Sequence, residues 1–323
     1  MVDKKAIMLG LVLILPFAFL GMTFLKAEGN SEKPIIVCTT NVVGSIVQEI
    51  VGDLAHVVVL VQPSLCPADF DMKPSDVYAV SKAKVLFKQN IPGEFWLQSL
   101  LEAAGNKNLT QVIVSGVYNT PEGAKNYIQL VGGNLSRILG VNFDAKISEM
   151  LGEVDSVHNW IKSQAQALHV SSVKVICMNW LKTFVESVGF TVVATYNPPE
   201  TLSAADIDNL IKTARNEGVA LIIDNLQIDV EFGRGIASQV GAEHVILTNF
   251  PGAIPGTESL ARMLRFNAGQ LFNATITWRA TANLKAEMES LENQVSILQI
   301  TTIVAVTIAI VEAVLLYAER SRH

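Results

Sequence analysis

The sequence predicts an α/β protein of two doubly wound lobes joined by a single long helix, with a terminal membrane helix. Three observations carry this. Short runs of branched apolar residues alternate with amphipathic helical stretches, which is the pattern of a parallel sheet. One helical segment without strand signals, residues 144–168, divides those runs into two sets. A stretch broken only by Glu312, residues 297–318, lies close to the end of the chain.

The first set begins with residues 34–39, a β-branched run suited to a strand buried on both faces. Residues 41–51 show helical periodicity through Val43, Ile46, Val47 and Ile50, and Gly52 closes them. Residues 56–61 form a second strand. Residues 74–83 form a helix with Pro74 at its start and Ser75 and Asp76 in its first turn, where a carboxylate suits the helix dipole. Residues 84–88 and 111–114 complete the strands of this set. Beyond Pro121 the strand signal stops. Gly132, Gly133 and Gly140 are expected to break the first part of this region, and residues 144–168 read as one helix about 37 Å long at 1.5 Å per residue.

The second set repeats the alternation. Strands are expected at residues 173–177, 191–194, 220–223 and 244–247. Helices are expected at residues 181–188, 204–217 and 233–240, with a final helix at residues 257–272. The resulting organisation is an N-terminal lobe (34–142), a linker helix (143–170) and a C-terminal lobe (171–275). In such sheets ligands bind outside the carboxyl ends of the strands, here in the cleft between lobes.

The two ends point to a membrane. The chain is 50% hydrophobic and 17% charged, with a mean hydropathy of +0.36, which is too apolar for an ordinary soluble protein. Residues 6–25 are uncharged and follow Lys4 and Lys5, so residues 1–27 are either a cleavable secretory signal or a retained anchor. Residues 297–318 are long enough to cross a bilayer, and Arg320 and Arg322 follow them. Positive charge marks the cytoplasmic side, so the lobes are expected outside the cell membrane and the C-terminus inside. Glu312 interrupts the span; it either snorkels or is protonated, or it meets a partner helix.

Just before the span, Leu284, Met288, Leu291, Val295 and Leu298 recur at spacings of four and three, with charged residues between them. Residues 280–296 are therefore a helical stalk, either a plain amphipathic helix or a short coiled coil that pairs two copies. Asn108, Asn134 and Asn273 each begin an N-x-S/T triplet, compatible with a glycosylated exterior portion.

The net charge of −6 and pI near 5.4 argue against a nucleic-acid partner. Three cysteines, Cys38, Cys66 and Cys177, permit one bridge and one free thiol or no bridge at all. The sequence contains no G-x-S-x-G elbow, no H-E-x-x-H and no phosphate-binding loop, so an enzyme is not expected.

The segment from Pro67 to Asp76, PADFDMKPSD, is the most specific stretch of the chain. It is followed by Ala83 to Phe87, Asn90, Trp96-Leu97, Pro121 to Lys125, Phe184, Gly189-Phe190, Asp224 to Gln227 and Arg265 to Asn267. In these segments the chain resembles the zinc- and manganese-binding solute receptors of ABC transporters over residues 35–273. The resemblance implies two lobes on one long helix, small closure motions, a permease as partner, and a metal held by four side chains between the lobes. The positions that correspond to those four ligands hold Ala68, Gly116, Met178 and Asn249. Alanine and glycine offer no donor, and a thioether or an amide is a poor partner for a hard or borderline dication. No high-affinity zinc or manganese site of the usual kind is therefore expected.

Other residues near the cleft are candidates to replace those ligands. Cys38, Cys66, Cys177 and Met178 form a soft set suited to Cu(I) if they converge, and buried strand residues if they do not. Asp69 supplies a carboxylate or braces its loop. Asp224 is the acidic residue best placed to meet a cationic or polar ligand, and Asn179 and Asn249 suit a neutral polar one. Cys66, Ala68, Asp69, Gly116, Met178, Asn179, Asp224 and Asn249 thus outline the expected cleft. Its ligand is a small solute, a metal ion or a metal chelate. The expected function is a membrane-anchored extracytoplasmic solute-binding protein of an ABC transporter; the alternative is a degenerate binding fold acting as a surface adhesion, assembly or regulatory scaffold.

Overall fold

The computed structural model describes residues 33–321. The segment expected as a signal or anchor, and Arg322 with it, lies outside the described residues. Two sheets of four parallel strands form the architecture. The first contains β1 (Ile35–Thr40), β2 (His56–Val61), β3 (Val85–Lys88) and β4 (Thr110–Ile113), in the order β2-β1-β3-β4. The second contains β5 (Lys174–Met178), β6 (Thr191–Tyr196), β7 (Leu221–Asn225) and β8 (Glu243–Leu247), in the order β6-β5-β7-β8. The chain reverses its direction of winding between β1 and β3, and again between β5 and β7. Those are the switch points where a crevice opens at the carboxyl ends of the strands.

The helices of the first lobe are α1 (Asn41–Val51), α2 (Pro74–Lys82) and α3 (Leu97–Ala104). Then come α4 (Pro121–Leu139) and the linker α5 (Asp144–Ala167). The second lobe adds α6 (Lys182–Val188), α7 (Ala204–Glu217) and α8 (Glu231–Val240), and α9 (Leu260–Arg320) ends the chain. One hydrophobic core runs from Ile36 and Ile46 through Leu135 of α4 and Val154 of α5 to Ile222 and Leu264. The lobes therefore share their packing rather than resting on separate cores. A smaller cluster around Leu86, Trp96 and Leu100 fills the opposite face of the first sheet.

Two features differ from the sequence expectation. The pair Gly132-Gly133 does not interrupt α4. A Cβ at Gly132 would stand 2.4 Å from Cδ1 of Ile147 in α5, so that glycine serves the close approach of two helices. Packing here outweighs a propensity loss of about 1 kcal/mol per glycine. The final helix, stalk and apolar run, expected as separate pieces, are one unbroken helix of 61 residues, α9. It is the described helix long and apolar enough to cross a membrane. Helix α3, beginning at Leu97, has too short an apolar pattern to stand out in the sequence.

Of the three triplets, Asn108 lies in an exposed turn before β4, whereas Asn134 and Asn273 lie within α4 and α9. Only the first has the surface-loop setting of an acceptor.

Candidate metal-receptor cleft

Amide side chains near the carboxyl ends of both sheets bridge the two lobes. Asn41, at the start of α1, donates from Nδ2 to the Pro251 carbonyl at 2.5 Å. Asn119 donates from Nδ2 to the Trp180 carbonyl at 3.1 Å and to Oδ1 of Asn249 at 3.2 Å. Gln227 donates from Nε2 to the Pro63 carbonyl at 3.0 Å. All four bonds join the first lobe to the second.

The loop after β8 owes its shape to two further amides. Gln227 receives the Asn249 backbone N–H at 3.2 Å and donates to Oγ1 of Thr248 at 3.0 Å. Asn267 of α9 accepts from the Thr248 N–H at 3.1 Å and donates to its carbonyl at 2.8 Å. Gln227 and Asn267, both in segments that carry the sequence resemblance, thus hold Asn249 in place. Arg265 lies over the Trp160 ring at 4.2 Å, which ties α9 to α5.

On the first lobe, Thr39 and Thr40 end β1 and Gln89 follows β3. Thr40 donates to Oε1 of Gln89 at 2.5 Å, and the Gln89 N–H donates to Oγ1 of Thr39 at 3.0 Å. Thr39 in turn donates to the carboxylate of Glu94, which also accepts the Asn90 N–H at 2.8 Å. Asn90 has φ of 56°, a left-handed conformation that asparagine tolerates. Burial raises Glu94 above the usual carboxylate range, against the pull of these hydrogen bonds. Tyr127 donates to the Gly116 carbonyl at 3.0 Å, and burial pushes its phenol up to about 12. It is a neutral donor throughout the physiological range.

The expected site residues divide into three groups. Ala68, Asp69 and Gly116 are exposed on the first lobe. The segment from Pro67 to Asp76 is braced by Trp96, whose Nε1 donates to the Pro67 carbonyl at 2.9 Å and whose ring lies 4.3 Å from that of Phe70. Met178 is fully buried in the core, while Asn179 beside it is exposed.

Asp224 does not face the cleft as expected. It is fully buried and accepts hydrogen bonds from the Tyr196 hydroxyl and, at 2.6 Å, meets Nε2 of His244. Gly233 of α8 covers it, since a Cβ there would stand 2.2 Å from Oδ2. Burial and the neighbouring carboxylate hold the Tyr196 phenol far above its ordinary value. This is an internal polar triad under α8. The residue following it, Asn225, ends β7, and its Oδ1 is buried without a hydrogen bond.

The soft sulfur set is not assembled. All three cysteines are free, and among the described residues no three His, Cys, Asp or Glu side chains cluster in a way that would hold a metal ion. Cys38 and Cys177 are strand core residues. Burial raises both thiols, that of Cys177 to about 12. Because the thiolate is the reactive form, a native-state thiol titration is expected to label the half-buried Cys66 quickly. Cys38 and Cys177 should react only on unfolding, and rapid reaction of all three would show that the core opens readily.

The residues that sequence reasoning missed are Asn41, Asn119, Gln227 and Glu94. Gln227 lay in a segment that carries the resemblance; the others had only their position as a signal, Asn41 and Asn119 at the start of a helix and Glu94 in the loop between β3 and α3.

With two parallel sheets in the 2-1-3-4 order, a long linker helix and a cleft at the switch points in place, the comparison with known proteins is decisive. Residues 36–274 match the family model described as ZnuA, zinc-uptake complex component A, periplasmic. This chain belongs to the ZnuA family. Solved structures agree at the level of the fold. A Mn-bound periplasmic metal-binding protein from Candidatus Liberibacter asiaticus superposes with a TM-score of 0.64 at 14% identity, over 75% of this chain and all of that one. The Cd-bound form of the same protein gives 0.65 at 14% identity with the same coverage. A crystal structure of ZnuA gives 0.63 at 19% identity, over 76% of this chain and all of that one. The family description is that of an uptake component, not of a catalyst. In this ZnuA-family cleft, Asn249 is buried with its amide oxygen committed to Asn119.

Proposed function

We propose that this chain is a membrane-tethered, extracytoplasmic solute-binding component that works with an ABC-type permease, and that an amide clasp stands where the cargo dication of its relatives would bind. The supporting observation is the Asn119–Asn249 hydrogen bond at 3.2 Å. Asn249 corresponds to an aspartate ligand in the resemblance, and the other three ligand positions hold Ala68, Gly116 and Met178. A dication needs anionic or imidazole donors around it. A neutral amide pair instead bridges the lobes without a charge, at roughly 0.5–1.5 kcal/mol per hydrogen bond. Neither zinc nor manganese suits this donor set, so the cleft is suited to a small uncharged polar solute. The tether is α9: its apolar part would cross the bilayer, with Arg320 on the cytoplasmic side and the lobes outside.

The four hydrogen bonds that join the lobes directly favour a second reading, in which the closed shape itself is the signal and the chain serves as a docking scaffold without cargo.

Thermal melting of the purified chain with Zn²⁺, Mn²⁺ and a panel of small polar solutes, together with metal analysis, separates these. A ligand at about 100 times its Kd stabilises a fold by ~2.7 kcal/mol. We expect no such shift with either dication and no stoichiometric metal. Co-purified zinc or manganese with a matching shift would overturn the clasp reading. A shift with a neutral solute supports the receptor; none with any solute supports the scaffold.

A further inference from the structure

Between the second lobe and the apolar run, α9 is exposed on every side, and Leu284, Met288, Leu291, Val295 and Leu298 form a stripe along it, each more than half exposed. Five apolar side chains spaced four and three apart on a solvent-facing helix are a packing seam without its partner. Continued into the apolar run, the same register places Thr302, Ala305, Ala309 and Glu312 on this face. Small residues there allow a second helix to approach closely.

Glu312 is six residues from Ala318, about 9 Å along the axis at 1.5 Å per residue. That is farther than a glutamate side chain reaches, so it does not snorkel as a lysine would. An ionisable group at that depth needs a partner in the membrane.

The charges beside the seam decide what kind of partner. Lys285, Glu287 and Glu292 flank it at the positions that face the neighbouring helix in a parallel pair, where Lys285 would fall opposite Ala280. In a pair of copies of this chain, Glu287 of one would face Glu292 of the other on both sides of the stalk. Like charges in such pairs destabilise them. The two stalk carboxylates instead complement a basic helix, and Glu312 complements a hydrogen-bond donor at its own depth in the span.

We propose that this face of α9 docks a transmembrane helix of another integral membrane protein, one that carries a lysine or arginine at the depth of Glu312 and basic residues beside the stalk. This inference rests on the reading that α9 crosses a membrane, which resistance to alkaline extraction from vesicles checks independently.

The test uses the full chain, donor-labelled in phosphatidylcholine vesicles, and two acceptor-labelled synthetic leucine–alanine helices. One carries a lysine six residues from the end of its span and two lysines in its flanking stalk segment; the other carries leucine and glutamine at those positions. Energy transfer should report association about five- to ten-fold stronger for the lysine helix, in the range of polar contacts between membrane helices. Glu312→Gln should remove most of that preference, and Glu287→Lys with Glu292→Lys the rest. Extraction-resistant chain that binds both helices equally, or a preference unchanged in Glu312→Gln, would overturn the proposal. Transfer between copies of the chain alone, at the same density, would also overturn it by assigning the face to a second copy.

Discussion

Asp224→Ala is expected to destabilise the second lobe by about 1–3 kcal/mol, the cost of leaving buried hydrogen-bonding partners unsatisfied. Asp224 has no exposed surface, and the His244 side chain is 14% exposed. Without the carboxylate, the Tyr196 hydroxyl keeps its bond to the Ile223 carbonyl at 3.0 Å, but the imidazole loses its partner. In a fold of this size the loss corresponds to a fall in Tm of roughly 2–12 °C. Asp224→Asn retains an acceptor and should cost clearly less. Gly233→Ala should mimic Asp224→Ala, since its methyl would occupy the space of the carboxylate. The two losses should not add when combined, because both disrupt one contact. Solute affinity measured below the melting range should not change. A stable Asp224→Ala protein with altered binding would return Asp224 to the cleft.

The second large effect is expected at Gly123. A Cβ there would stand 2.1 Å from the Val117 carbonyl oxygen, a backbone atom that cannot rotate away. Gly123 also donates its N–H to Oγ1 of Thr120, the cap of α4. Gly123→Ala must therefore displace the loop of residues 115–120, at an overpacking cost of about 1–3 kcal/mol. That loop carries Asn119. The substitution should thus loosen the junction between lobes as well as lower Tm. Hydrogen exchange at the Trp180 to Lys182 turn would report it, and protection equal to that of the parent chain would show that the loop absorbs the methyl without moving the amide.

Most of the fold was legible in the sequence, for a physical reason. Strands covered by helices carry branched apolar runs, such as the VVVLV ending at Val61, which announce themselves, whereas β4, TQVI and largely exposed, carries a weaker signal. Glycine was less legible, because its signal is the same whether it breaks a helix or lets another approach; Gly132 does the second. The site was read unevenly. The absence of ligand donors at Ala68 and Gly116 is visible in one dimension. That Asn249 is engaged by Asn119, 130 residues away, is not. Asp224 misled because strand residues alternate between faces and a one-residue difference decides which side of the sheet a carboxylate meets.

The unbroken course of α9 from Leu260 to Arg320 has a mechanical meaning. From Arg279, which still donates to the Leu168 carbonyl, to Ile297 it extends about 27 Å at 1.5 Å per residue. A flexible tether would let the lobes search a hemisphere above the membrane. A stiff shaft rooted in the core by Leu264 and Leu271 sets one height and couples any lean of the lobes to a lean of the helix. In the proposed tethered arrangement, the carboxyl ends of both sheets would be held at a set altitude, with spin about the shaft as the main freedom left.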